Sequence, residues 1–302
     1  MKHRRSRLAA GLCVVVSVAG LTAIGNAPAA QAAEKISVVI KRTGTTISVG
    51  PEQSGQASAK CRRGETLIGG GALGNGTGSQ DVFLRGSAPH PRNARRWLAR
   101  GYNNDGANPH GLTAYAMCAK PARRDRIGVI VRSGGPAKVL ALGTSGRDTA
   151  NCRSDERLVG GGAEGSGAAS AAVLLTASAP HPARARRWLT IGFNNDFGAP
   201  HKLRAFAFCA RPARPDKVER IVKRPGDRIT VAALTNGTAS AKCRRNERLV
   251  GGGALDDGKR AIGVLLKSSA PHPSNARRWR ADGYNFDSQS HRLRAFALCA
   301  KS

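Results

Sequence analysis

Hydrophobic positions along this chain form short runs rich in β-branched residues, and glycine and proline separate these runs. Early examples are Val38 to Ile40, Thr45 to Val49 and Val82 to Leu84. Short apolar runs between turn residues favour β-strands, and no segment shows the sustained period of a helix. The pattern therefore predicts an all-β fold made of small, sandwich-like units.

One motif occurs three times at an interval of 91 residues. Ser-Ala-Pro-His-Pro, followed three residues later by Arg-Arg-Trp, begins at Ser87, Ser178 and Ser269. A fixed period of this length indicates three copies of one structural unit. We expect these repeats, each about 90 residues long, at residues 33–121, 122–213 and 214–302. A chain of that length can fold alone, so three independent units are favoured, although the short joints leave a single three-fold body open.

The first 32 residues differ from the rest of the chain. A positively charged start is followed by an apolar run from Leu8 to Ile24 and by Ala30-Gln31-Ala32, which has the form of a cleavage site. We predict a signal peptide at residues 1–32, and hence a secreted protein that is extracellular or associated with the cell wall. An uncleaved anchor is the alternative, although the run is marginal for a membrane span. No transmembrane span is expected in the mature chain.

Six cysteines follow the predicted signal peptide, two in each repeat. An even number in an exported protein favours disulfides, and zinc is the weaker alternative because the chain has no C-x-x-C pair. Closing a loop of this length is expected to stabilise each repeat by about 3–4 kcal/mol. The repeat selects one connectivity: Cys61–Cys118, Cys152–Cys209 and Cys243–Cys299.

Charge adds a constraint on partners. The chain has 49 Lys and Arg against 19 Asp and Glu, a formal net charge of +30 at pH 7. Without the four cations of residues 1–32 the balance is 45 against 19, a net of +26, and every repeat is basic. For an exported protein this indicates an anionic polymer such as teichoic acid, acidic polysaccharide or extracellular nucleic acid. Solubility and generic adhesion are the alternative, because charge alone identifies no ligand.

The arginine pair before each recurrent tryptophan is the best candidate for ligand binding. Arginine presents a planar fork that binds phosphate, sulfate or carboxylate at two points, and three pairs on one chain would bind a polyanion multivalently. The alternative is an arginine packed on tryptophan or paired with an acid of its own repeat. The predicted ligand-binding residues are Arg95, Arg96, Arg186, Arg187, Arg277 and Arg278, with the nearby aromatics Tyr102, Phe193 and Tyr284. A second candidate edge comprises Arg62, Arg153, Arg244 and Arg245.

Two other recurrent features are expected to be structural. Small residues two and four positions after Trp97, Trp188 and Trp279 indicate an inward-facing tryptophan, with a sugar-stacking platform as the alternative. The glycine triplets at 69–71, 160–162 and 251–253 lack the Lys-Ser/Thr pair of a phosphate-binding loop. A β-bulge or a close crossing of strands explains them better.

Recurrent histidines and carboxylates provide the weaker case for metal or catalysis. Two histidines and one aspartate per repeat could form a metal triad, as with His90, His110 and Asp105, but nothing in the sequence places them together. Glu65 and Asp105, with their counterparts, are the minimum carboxylate pair for glycoside hydrolysis. We predict no catalytic residue, no metal and no cofactor.

Each repeat resembles repeat domains of secreted proteins from high-GC Gram-positive (actinobacterial) bacteria. The resemblance covers all three repeats and rests on Cys-x-x-x-Glu-x-Leu-x-Gly-Gly-Gly-Ala at the start, Ser-x-Pro and Trp in the centre, and Ala-x-Cys-Ala at the end. It implies a secreted β-rich unit and transfers no catalytic or binding residue.

The sequence as a whole predicts a secreted, non-enzymatic, multivalent binder of anionic polymers at the cell envelope. A protein-binding module, such as a protease inhibitor or a surface assembly subunit, is the first alternative. A glycan hydrolase is the second.

Overall fold

The computed structural model describes residues 38–75, 81–120, 128–168, 171–211, 220–256 and 263–301. The predicted signal peptide and both joints between repeats lie outside the described residues. The repeat boundaries at those joints therefore stay predictions. Within the described residues, no helix is long and apolar enough to cross a membrane.

The described residues form β-strands, as the short apolar runs predicted. The first repeat contains β1 (Val38–Thr43), β2 (Ile47–Val49), β3 (Ser54–Lys60), β4 (Thr66–Gly74), β5 (Val82–Pro89), β6 (Arg96–Asn103) and β7 (His110–Lys120). The second contains β8 (Gly128–Ser133), β9 (Lys138–Leu140), β10 (Ser145–Asn151), β11 (Arg157–Gly165), β12 (Gly167–Ala168), β13 (Ala171–Pro180), β14 (Arg187–Asn194) and β15 (His201–Arg211). The third contains β16 (Ile221–Val231), β17 (Asn236–Lys242), β18 (Glu247–Asp256), β19 (Val264–Pro271), β20 (Arg278–Asn285) and β21 (His291–Lys301).

The strands form three seven-stranded sheets, and every sheet combines strands from two repeats. The first sheet has the order β1-β7-β4-β19-β20-β17, with β2 beside β7. The second has the order β3-β6-β5-β11-β15-β8, with β9 beside β15. The third has the order β10-β14-β13-β18-β21-β16, with β12 beside β13. Each repeat thus gives one group of strands to each of two sheets.

Strands of different repeats pair at three places, and the residues that pair are equivalent in all three. Ala72 pairs with Ser269, Ala163 with Ser87, and Ala254 with Ser178. The described residues accordingly form one compact unit with three disulfides. The all-β, disulfide-closed, three-repeat fold is confirmed, but the preference for three independent units is wrong. An isolated repeat would expose the edges of β4 and β5, which pair with its neighbours.

The glycine triplets permit this arrangement. The register shifts by one residue at Gly69, Gly160 and Gly251, so the predicted β-bulge is confirmed. A Cβ on Gly160 would overlap the carbonyl oxygen of Ile68 in the preceding repeat, and one on Gly251 would crowd that of Val159. The triplets therefore lie where the three repeats approach one another most closely.

The tryptophans are buried in the core that the three sheets share, as the sequence predicted. Trp97, Trp188 and Trp279 are each 1% exposed or less. Each indole Nε1 donates a hydrogen bond to the serine that opens its own Ser-Ala-Pro segment, at 3.0–3.1 Å. Burial excludes the sugar-stacking alternative, and the serine satisfies the one polar atom that a buried indole carries.

The three predicted disulfides are all present: Cys61–Cys118, Cys152–Cys209 and Cys243–Cys299. β4 begins beside the first disulfide, and its partner β19 ends beside the loop that carries Arg277. Because the two strands are antiparallel, the disulfide of one repeat and the arginine pair of another lie at the same end of the body. We call this the disulfide end. The opposite end, where Asp105, Asp196 and Asp287 precede the last strand of each repeat, is the aspartate end.

Candidate anion-binding surface

A recurrent turn organises the disulfide end. In the first repeat the amide of Glu65 donates to the carbonyl of Arg62, which closes a turn directly after Cys61. The Glu65 carboxylate accepts a hydrogen bond of 2.8 Å from the Arg62 amide. It also accepts two hydrogen bonds from the Arg42 guanidinium of β1. The same pair recurs as Arg132–Glu156 and Arg224–Glu247. We call these the Arg–Glu clasps.

The clasps keep their carboxylates ionised. Glu156 and Glu247 are 1% and 3% exposed. The bond from Arg132 is the largest cause that lowers the pKa of Glu156 to about 2, and Arg224 does the same for Glu247. The pKa of Glu65 is lowered by Arg42. Arg62, Arg153 and Arg244 make smaller contributions to the same shifts, so each carboxylate is engaged mainly by its clasp arginine.

Each arginine pair lies where a loop of shared backbone geometry enters a strand, β6, β14 or β20. The amide of His90 donates to the carbonyl of Arg96 at 2.9 Å, and that of Arg96 to the carbonyl of Asn93 at 3.0 Å. The His90 Nδ1 accepts from the amide of Arg92 at 3.0 Å. The recurrent Pro-His-Pro segment thus closes a tight loop through its own backbone and imidazole. That loop sets the position of the following arginines.

Backbone hydrogen bonds join the two edges that the sequence proposed separately. The Cys61 amide donates to the Arg95 carbonyl at 2.9 Å, and Cys152 and Cys243 do the same to Arg186 and Arg277. Each arginine pair therefore lies beside the turn that starts with Arg62, Arg153 or Arg244. Arg62, Arg153, Arg244 and Arg245 are all exposed.

The paired arginines lack acidic partners in the part of the chain that the structure describes. Arg187 donates from Nε to Asn151 at 2.7 Å, and Arg186 donates to the carbonyl of Ser154 at 3.1 Å. The Nε atoms of Arg96 and Arg278 are buried and have no hydrogen-bond partner among the described residues. Among the described residues, none of the three arginine pairs is therefore paired with an acid of its own repeat.

Two of these loops carry a histidine whose pKa is lowered by burial and by nearby cations. Burial, followed by Arg187, Arg184 and Lys223, lowers the pKa of His181. Burial, followed by Arg278 and Arg280, lowers the pKa of His272. Cations that disfavour a protonated imidazole also favour a bound anion.

The aromatic candidates are placed differently from the arginines. Tyr102, Phe193 and Tyr284 are 5%, 3% and 8% exposed. Tyr284 packs with Phe83, Leu174 and Leu265 in a small apolar cluster. Burial leaves these rings no face on which a ligand could stack, so they do not belong to the surface described above.

Recurrent residues of the aspartate end bind one another. Asp105 accepts from His110 across 2.9 Å, and Asp196–His201 and Asp287–His291 repeat the contact at 2.8 Å. The pKa of Asp105 is lowered, chiefly by the hydrogen bond from the Ala107 amide and next by the one from His110. His90, the third member of the suggested metal triad, lies in the loop at the disulfide end. The structure therefore brings together only two of the three residues.

The carboxylate pair suggested for glycoside hydrolysis is also separated. Glu65 belongs to a clasp at the disulfide end, whereas Asp105 holds a turn at the aspartate end. Groups of two cysteines and one glutamate do lie close together, as at Cys61, Glu65 and Cys118. Their sulfurs are joined in disulfides and are not free to ligate a metal.

Sequence reasoning missed the arginines of the clasps. They stand 23, 24 and 23 residues before their glutamates, and this change of spacing hides the recurrence. It also missed Lys41 and Lys223, whose ammonium groups donate to loop carbonyls of another repeat: His272 at 3.1 Å and His181 at 2.7 Å. Aligning the repeats on their Arg–Glu pairs would have revealed both sets.

No protein-family model matches this chain, and no curated protein matches it.

Proposed function

We propose that this is a secreted, non-enzymatic protein that binds anionic polymers through the arginine pairs of its disulfide end, at the cell envelope. The observation that carries the proposal is the contrast in pairing at that end. The recurrent glutamates are engaged by Arg42, Arg132 and Arg224, and the six paired arginines have no carboxylate partner among the described residues. Three basic loops on one end of a single body would contact one polymer chain together.

We expect the arginine loops to bind without large rearrangement. The loops are fixed to the turns after Cys61, Cys152 and Cys243 by backbone hydrogen bonds. Little ordering of the loops is therefore needed on binding, which favours affinity. Because the contacts are mainly between guanidinium and acidic groups, affinity is expected to fall steeply with salt as counterions are released.

The test compares two variants that lose the same charge from opposite ends. One replaces Arg186, Arg187, Arg277 and Arg278 with glutamine. The control makes the same replacement at four exposed cations of the aspartate end. They lie in the first residues of β15 and β21 or in β9 beside β15: Lys138, Lys202, Arg204 and Arg292. Binding to heparin, to purified teichoic acid and to DNA is measured by calorimetry across a salt series.

We expect the first variant to lose most of its affinity and its salt dependence, while the control stays close to the wild type. Equal losses in both variants would mean that net charge, and not the disulfide end, governs binding. A tight one-to-one complex with a secreted protein that is insensitive to salt would favour the protein-binding alternative instead.

A further inference from the structure

One junction between repeats differs from the others. A partly open cavity of about 590 Å³ lies where the arginine loop of the second repeat meets β16 of the third. Its described lining residues include no carboxylate. The polar ones are Asn151, Arg157, Arg184, Arg186, Arg187 and Lys223.

Lys223 fixes one wall of this cavity. Its ammonium donates to the carbonyl of His181 at 2.7 Å and to that of Pro182, both in the loop of the preceding repeat. Burial lowers the pKa of this lysine. The contact ties the arginine loop to β16 and places a cation beside Arg184 and Arg187.

A second part of the lining orients a guanidinium. Arg187 donates from Nε to the Asn151 side chain at 2.7 Å, and the two strands pair at these residues. A single bond at Nε leaves both terminal nitrogens of the fork able to meet an oxyanion. The Arg184 carbonyl accepts from the Arg187 amide at 3.3 Å, but its exposed guanidinium makes no hydrogen bond or ion pair with the described residues.

Two of these residues are special to the second repeat. Arg184 stands where the other repeats have Asn93 and Asn275, and Asn151 stands where they have Lys60 and Lys242. Asn93 and Asn275 accept hydrogen bonds of 3.1 Å from the amides of Arg95 and Arg277 and so belong to the loop itself. Arg184 replaces that internal bond with a projecting cation.

The corresponding junction between the third and first repeats lacks these features. Its cavity measures about 200 Å³, and Lys41 is the only Lys or Arg among its described lining residues. Burial and cations lower the pKa of both His272 and His181, but at His272 the nearby Asp282 carboxylate partly offsets this shift. At the junction between the first and second repeats, Val131 takes the place of the lysine.

We propose that the cavity between the second and third repeats binds one phosphate or sulfate ester group of an acidic glycan. This rests on the proposed function and names the site where a single anionic unit is recognised. Ile221, which is half-buried, adds an aliphatic surface against which a sugar or polyol can lie. A single-stranded nucleic acid is disfavoured because the described lining offers no aromatic ring for base stacking.

The test uses the double variant Asn151→Lys with Arg184→Asn. It inserts the residues that the other repeats carry, and it leaves the net charge unchanged. The probes are glucose 6-sulfate and glucose 6-phosphate, with glucose as the uncharged control, and binding is followed by NMR and calorimetry. The two esters distinguish a sulfated from a phosphorylated source.

We expect one equivalent of an ester to bind the wild type and the double variant to bind it at least about tenfold more weakly, because a charge-assisted bond is lost. The His181 imidazole should titrate at higher pH when the ester is bound. Unchanged affinity in the double variant would overturn the proposal, and so would competition by a DNA oligonucleotide with no binding of either ester.

Heparin binding by the wild type, measured in parallel, separates the two proposals. Binding of heparin without any ester overturns the cavity alone, whereas binding of neither overturns the proposed function. The reverse graft, Lys242→Asn with Asn275→Arg, also preserves net charge and builds the same residues beside Lys41. A second bound equivalent supports the proposal, and an unchanged stoichiometry in the folded variant contradicts the assignment to these two positions.

Discussion

The two ends of this molecule carry recurrent polar residues in very different states. At the aspartate end, each aspartate binds the histidine of its own repeat, and Asn103, Asn194 and Asn285 donate to nearby backbone carbonyls. At the disulfide end, the recurrent glutamates are held in the clasps and the arginine pairs are left without acids among the described residues. Polar residues recur at both ends, but among the described residues only the disulfide end keeps recurrent charged groups without an acidic partner.

The difference teaches how to separate structural from functional repetition in a repeat protein. A residue that recurs because it bonds to its neighbours in the fold should lower the free energy of unfolding when it is changed, without altering ligand affinity. A residue that recurs for a ligand should do the opposite. Four predictions test this separation, from the largest effect to the smallest.

Acid should weaken the disulfide end most. Glu156 and Glu247 titrate at about 2 in the folded protein, against an ordinary value of 4.5. Below pH 4.5 the unfolded chain therefore takes up protons that the folded chain does not bind until about pH 2, so the stability that the clasps contribute above pH 4.5 is lost across this interval. Urea unfolding followed by circular dichroism at a series of pH values should show a steady fall in the free energy of unfolding. A free energy of unfolding that does not change between pH 4.5 and pH 2 would contradict the stabilising role of the clasps.

Breaking one clasp should be the most damaging single change. Glu156→Ala leaves Arg132 without its partner at a site where the carboxylate is 1% exposed. The free energy of unfolding should fall by more than in the other single variants, because Arg132 and the Arg153 amide both lose their acceptor. Thermal and urea unfolding measure it, with Asp155→Ala as the control because that neighbour is exposed. A loss equal to the control's would show that the clasp is not structural.

At the aspartate end, Asn194→Ala should destabilise the protein without affecting polymer binding. The buried side chain donates to the carbonyls of Ala141 and Ala199 at 3.1 and 3.0 Å. Leaving such carbonyls unsatisfied should cost about 2–3 kcal/mol. Heparin affinity, measured well below the unfolding temperature, should equal that of the wild type. A change in affinity would mean that the aspartate end also contacts the polymer.

The reciprocal change, Arg186→Gln, should alter binding and leave stability almost untouched. Arg186 is exposed, so the free energy of unfolding should stay within about 0.5 kcal/mol of the wild type. The slope of log affinity against log salt should decrease in magnitude by about one unit, because one fewer counterion is released. Lys202→Gln removes the same charge from the aspartate end and serves as the control. Similar slopes for the two variants would remove the distinction between the ends.

Much of the fold could be predicted from local pattern and recurrence. Short β-branched runs between glycine and proline predicted strands, and the two cysteines per repeat predicted the three disulfides. The small residues after each tryptophan predicted its burial, since alternate residues of a strand share a face. The glycine triplets predicted a bulge and a close approach. All of these are properties of a few residues close together in the chain.

Only the tertiary structure decided what the repeats do to one another. Similar repeats can pair the edges of their strands within one repeat or with a neighbouring repeat. The local sequence is compatible with both arrangements. The pairing of β4 with β19 could therefore not be predicted from the sequence pattern. The same cause explains the site. Which arginines keep a free guanidinium depends on acids and carbonyls that reach them from distant strands, and the cavity beside Lys223 exists because the third repeat closes over a loop of the second. The sequence determined the parts and their charge, whereas long-range packing determined which charges remain available.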